Sequence, residues 1–196
     1  MVTNTLAVLI GFLVVAWLLW PFRVLLHRGD NVLYRIAAEA HAIGHPVFWV
    51  LTRHSDGLQS DLSTVRGILL LEGMPHAAMR IREMRRPVIA EDARAMIFSF
   101  SRCPNQLILV ASDVVQSEPA VRLYVVGHEV GHYIEDATGR RGHPLFDLLP
   151  ATLNSERFAD AFSWYCLEYC RTVGQGFLFD WQAFRMTLAR VVQDCE

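Results

Sequence analysis

Lysine does not occur in the chain, and all eighteen basic residues are arginine. That absence excludes lysine Schiff-base chemistry and a phosphate-binding P-loop, because both need an ammonium group. Cysteine is scarce at four residues, with no Cys-x-x-Cys pair, so a disulfide scaffold is excluded and free thiols are expected. Excess charge is also missing. The formal net charge is −2 and no nucleic-acid-binding motif occurs, so nucleic acid is not an expected partner. No repeat or low-complexity segment divides the 196 residues, whose 53% hydrophobic content fits one compact domain.

What the chain has in excess is apolar sequence near its start. From Leu6 to Phe22 the run LAVLIGFLVVAWLLWPF carries no charge. A bilayer core of about 30 Å takes roughly 17–25 helical residues, so residues 5–22 are expected to form a single transmembrane helix at the short end of that range. Trp17 and Trp20 fall near one end, where indoles favour the membrane interface. A cleaved signal peptide fits less well, since no basic residue precedes the run and bulky residues follow it. A buried core helix normally keeps a polar face, which this run lacks. Arg23, Arg28 and Arg35 follow directly, and the positive-inside rule then places residues 30–196 in the cytoplasm.

Beyond the anchor the pattern predicts a short helix over Asn31–Ala42 capped by Asp30 or Asn31. Two further helices are expected over Asp61–Glu72 and Pro75–Arg86, the second with an Arg-rich face that is either solvated or close to anionic lipid. Ala95–Phe100 and Gln106–Ala111 read as the strands of a hairpin across Pro104-Asn105. Ser117 followed by Glu118-Pro119 opens a helix that should end at Gly139, and helices near 154–173 and 179–193 complete the chain. The fold class is therefore α+β, mainly helical with a small antiparallel sheet.

The helix after the hairpin contains His128-Glu129-Val130-Gly131-His132. Two histidines four apart project from one helical face about 6 Å apart along the axis, so both imidazoles can lean onto one tetrahedral Zn²⁺. Glu129 is rotated off that face by one residue, the place for a general base beside a Lewis acid. The third ligand separates the zinc-peptidase classes. Glu135 and Thr138 stand where a metzincin needs Gly and then His or Asp, which excludes that class, and Asp136 lies a further turn along the same helix. In the following helix, Glu156 and Asp160 are one turn apart. Glu156 is placed to complete a His₂Glu set and Asp160 to accept an N–H from a ligating imidazole, with His143 and His76 as the outside candidates. Donors for a transition-state oxyanion are sought among His143, Tyr133, Tyr165 and Arg140. His41 and His45 share the four-residue spacing, but Gly44 and Pro46 break the helix around them.

From Pro87 to Tyr169, the hairpin, HEVGH and ERFADAF together resemble the gluzincin zinc metallopeptidases, and among them the small ImmA/IrrE-type enzymes. The resemblance implies a zinc-dependent endopeptidase acting on protein or peptide substrates, with His128, His132 and Glu156 on the metal and Glu129 catalytic through a water activated at the zinc. It also implies that Gln106–Ser112 borders the cleft as the edge strand on which an extended peptide pairs. HtpX-type membrane endopeptidases look similar too, since E-x-x-A-D followed by Ala fits their third-ligand motif, but they are usually larger, with more membrane helices. A zinc-stabilised interaction module without catalysis is the competing class, with the same ligands stapling two helices.

Overall fold

A computed structural model describes residues 2–26, 31–85, 94–100 and 103–193, and within them the side chains of residues 9–23, 31–85, 94–99, 106–186 and 188–189. The architecture is mixed α+β, mainly helical, around one four-stranded sheet. Helix α1 covers Val2–Leu19 and passes into a 3₁₀ segment, Trp20–Leu26. Helix α1 runs for 18 residues, of which the apolar run supplies Leu6–Leu19, about 21 Å at 1.5 Å per residue, against a hydrocarbon core of about 30 Å. Among the described residues no helix is long and apolar enough to cross a membrane. The expected continuous helix over 5–22 is accordingly shortened at Leu19, just before Pro21.

Helices α2 (Val32–Ala42) and α3 (Val47–Leu51) precede strand β1 (Thr52–Arg53). Asn31 stands at the start of α2 with φ 64° and makes no side-chain cap, which departs from the expected N-cap role; Asp30 lies outside the described residues. Helix α4 begins at Asp56 rather than Asp61, because Ser55 accepts the Leu58 N–H and starts the helix a turn and a half early.

Strands β2 (Met79–Met84), β3 (Ala95–Phe100) and β4 (Cys103–Ala111) complete the sheet in the order β1-β2-β4-β3. The expected helix over Pro75–Arg86 is therefore a strand. Its residues alternate, with Ile81 buried between half-buried or exposed Arg80 and Arg82, and a period of two belongs to a strand rather than a helix. The β3–β4 pairing forms as expected, with Ile97 opposite Ile108, but β4 begins at Cys103 rather than Gln106 and pairs it with Phe100, so Pro104 and Asn105 lie in the strand instead of the turn and the connection at residues 101–102 is outside the described residues. The sheet is not purely antiparallel, because β2 runs parallel to β4 with Ile81 opposite Ile108. That pairing makes β4 a central strand, and Leu107, Ile108, Leu109 and Val110 are fully buried on both faces.

The sheet separates two apolar layers. On one face Tyr34, Ala37 and Phe48 of α2 and α3 pack on Met84, Leu107 and Leu109. On the other, Ile81, Ile108 and Val110 meet α4 (Asp56–Leu71), α6 (Pro119–Thr138), α8 (Ser155–Gly174) and α9 (Trp181–Gln193) in the larger core. Short helices α5 (Ser112–Val115) and α7 (Pro144–Asp147) lead into α6 and α8. Helix α6 starts at Pro119 with Glu118 as its cap, while the Ser117 hydroxyl donates to the Val114 carbonyl instead of capping. Gly139 ends α6 in the left-handed conformation, as expected (φ 56°), and Asn154 caps α8 by accepting the Arg157 N–H at 2.9 Å.

Candidate metal centre

Helices α6 and α8 approach each other through two glycines. A Cβ on Gly131 would lie 2.8 Å from the Ala159 Cα, and one on Gly127 would lie 3.2 Å from the Ser163 Cα. This close crossing sets the first turn of α8 against the middle of α6, so Glu156 comes to face His128 and His132. The Nε2 atoms of His128 and His132 are 3.2 Å apart. Glu156 Oε2 is 3.3 Å from His128 Nε2, and Oε1 is 3.7 Å from His132 Nε2. Ligands about 2.0–2.1 Å from a tetrahedral zinc lie about 3.3 Å from one another, so the donor set matches the size and chemistry of a His₂Glu zinc site. Among the described residues these three form the only group of three or more His, Cys, Asp or Glu side chains close enough to share a metal ion.

Each imidazole is oriented through its other nitrogen. His128 donates Nδ1–H to Asp160 Oδ1 at 3.0 Å, and the same oxygen accepts the Tyr124 hydroxyl at 2.7 Å. His132 donates Nδ1–H to the Ser155 hydroxyl at 3.0 Å; that hydroxyl donates onward to Glu135, which is paired with Arg140. A carboxylate only accepts, and the Ser155 proton is already committed to Glu135, so each imidazole in its neutral form carries its proton on Nδ1 and presents a bare Nε2. Asp160 occupies the supporting position expected of it.

Glu129 is buried, with 7% of its surface exposed. Burial pushes its carboxyl up to about 7, against a hydrogen bond from the Ile97 N–H and with Glu156 adding to the rise. It lines a cavity of about 730 Å³ together with His128, His132, Glu156 and Asp160. The remaining walls are mainly apolar: Ala95, Met96 and Ile97 of β3, Ala120, Val121 and Val125 of α6, and Leu167 of α8. Strand β3 has one neighbour among the described residues, β4, so it is the sheet edge beside the cavity. The expected border at Gln106–Ser112 is thus corrected by one strand, because β2 takes up the far side of β4.

The residues proposed from sequence as oxyanion donors are not at the cavity. His143 caps α7 and bonds Glu72, Arg140 is held by Glu135 and the Leu153 carbonyl, Tyr165 is buried in the core, and Tyr133 packs against that core. Tyr124 and Arg94 line the cavity instead. Tyr124 had a readable signal, standing one helical turn before His128 on the same face, whereas Arg94 and Ser155 had none. His76 bonds the Met74 carbonyl, and His45 accepts the Val47 N–H, so neither joins the cluster. In comparisons with known proteins the chain matches no family model, and no curated protein or solved structure is similar to it.

Proposed function

We propose that the protein is a zinc-dependent endopeptidase of the gluzincin kind, resembling the ImmA/IrrE-type enzymes, tethered to a membrane through α1 with its catalytic domain in the cytoplasm. The observation that carries the reading is the convergence of two bare Nε2 atoms and one carboxylate at tetrahedral-edge distances, with Glu129 beside them in a cavity bordered by a strand edge. When bound, zinc supplies Lewis acidity that polarises a carbonyl and brings the pKa of a water towards about 7.

The chain's own residues do the rest. His128, His132 and Glu156 hold the ion, while Asp160 and Ser155 keep both imidazoles in the ligating tautomer. The free edge of β3 offers backbone N–H and C=O groups on which an extended peptide can pair, and the apolar walls take its side chains. Glu129 takes a proton from the attacking water and returns it to the leaving nitrogen, so that hydroxyl adds to carbon and hydrogen to nitrogen across the broken bond. For the tether, the support is the exposed apolar surface of α1 from Leu9 to Leu19 and the arginines that follow it. A helix shorter than the bilayer core is accommodated by local thinning of the bilayer.

Casein digestion followed by gel tests the chemistry. Wild-type protein is expected to cleave and Glu129→Gln to be inert while keeping its zinc; cleavage by Glu129→Gln would remove the assigned base.

A further inference from the structure

The layer on the far side of the sheet from the metal helix carries apolar and basic surface that the peptidase reading does not use. On α3, Trp49 and Val50 are 53% and 64% exposed, unusual for a Trp and a Val side by side on a five-residue helix. The Trp17 ring of α1 rests 4.4 Å from the ring of His45, two residues before the start of α3.

This corner also has its own charge. Arg80 and Arg82 point to the same sheet face as Met84, which packs beneath α2 and α3, while Ile81 points to the opposite core. The Arg82 guanidinium lies 4.9 Å over the Trp49 ring, and that of Arg23 lies 4.2 Å over Trp20 at the end of α1. Burial and then the charges of Arg80 and Arg82 hold the His41 imidazole of α2 below its ordinary value. The local carboxylates are already engaged, Glu39 with Arg23 and Glu83 with Arg53, and no carboxylate among the described residues pairs with Arg80 or Arg82. Two Arg–Trp pairs, one just after α1 and one between β2 and α3, combine indoles, which settle at headgroup depth, with cations that attract lipid phosphates.

We propose that the corner formed by α3 and the adjoining face of β2 is a second membrane contact, in which Trp49 and Val50 enter the interface of an anionic bilayer beside α1 while Arg80 and Arg82 meet the lipid phosphates. The proposal rests on the tether proposed for α1. It gives the domain two points of attachment instead of a swivel, and holds the sheet between the bilayer and the metal helix.

The test is lipid photo-crosslinking of the full chain in phosphatidylcholine vesicles made with and without phosphatidylglycerol, using a phospholipid with a diazirine near the head of its acyl chain. Flotation reports the tether, and peptide mass spectrometry reports the contact. Adducts are expected on α1 and on the Trp49–Val50 segment, the latter increasing with phosphatidylglycerol. Trp49→Ala with Val50→Asp should lose the second set while still floating, and Arg80→Gln with Arg82→Gln should lose the phosphatidylglycerol dependence. A chain that floats without adducts at Trp49–Val50 overturns the contact and leaves the tether standing. One that does not float overturns the tether and the contact together.

Discussion

Asp160 is the residue whose role is most open to direct measurement. Its Oδ1 receives both the His128 Nδ1–H and the Tyr124 hydroxyl, so its charge raises the basicity of a ligating imidazole while its position fixes the ring. Asp160→Asn keeps the shape and removes the charge. Zinc affinity is expected to fall about 10–100-fold by chelator competition; an unchanged affinity would mean that Asp160 only packs. His143 illustrates the opposite use of a histidine. Its Nδ1 accepts the Leu145 N–H at the start of α7 and its Nε2–H donates to Glu72, and burial lowers its pKa against the pull of Glu72. Protonation would destroy the Nδ1 acceptor. Because the folded value lies below the unfolded one, the unfolded chain binds more protons as the medium acidifies. The stabilisation is therefore present above about pH 6.5 and is lost as pH falls below it towards the folded value. Thermal melts between about pH 7.5 and pH 5.5 should show a smaller loss for His143→Asn, which keeps a capping oxygen, than for wild type. Equal losses would exclude His143 as a contributor.

At the scale of elements, the α6–α8 crossing controls the site. Alanine in place of glycine normally favours a helix by about 1 kcal/mol. At Gly131 the new Cβ would meet backbone of α8 at 2.8 Å, and overpacking of that kind costs about 1–3 kcal/mol. Gly131→Ala is expected to lower Tm, by up to about 8 °C, and to weaken zinc binding, because α8 must move and carries Glu156 with it. A raised Tm would show that helix propensity outweighs the contact. The helices that build the site were readable from sequence because everything needed is local: the four-residue spacing of His128 and His132, the stop at Gly139, and the one-turn spacing of Glu156 and Asp160. Strand β2 was not readable in the same way. Arginines alternating with Met79 and Ile81 fit an exposed helix face as well as a strand, and what decides between them is parallel pairing with β4, whose paired residues lie 27 positions on, as in Met79 with Gln106. The edge strand was misassigned for the same reason, since which side of β4 stays open depends on β2.

Over the whole molecule, the sheet serves as a partition, with α6 packed on one face and the α2–α3 layer, which α1 meets through Trp17, on the other. Composition and periodicity reach as far as a mainly helical α+β chain with an apolar first helix, but not as far as this arrangement, which comes from contacts distant in sequence. The catalytic and membrane readings converge on this frame, and the catalytic one depends on a single ion joining α6 to α8. Elemental analysis of the purified full chain, wild type beside Glu156→Gln, measures that ion directly. The account predicts about one zinc per wild-type chain, as expected of a single His₂Glu site, and a clearly reduced content in Glu156→Gln. A folded wild-type chain that holds no zinc, or holds it equally well without the Glu156 carboxylate, would contradict it.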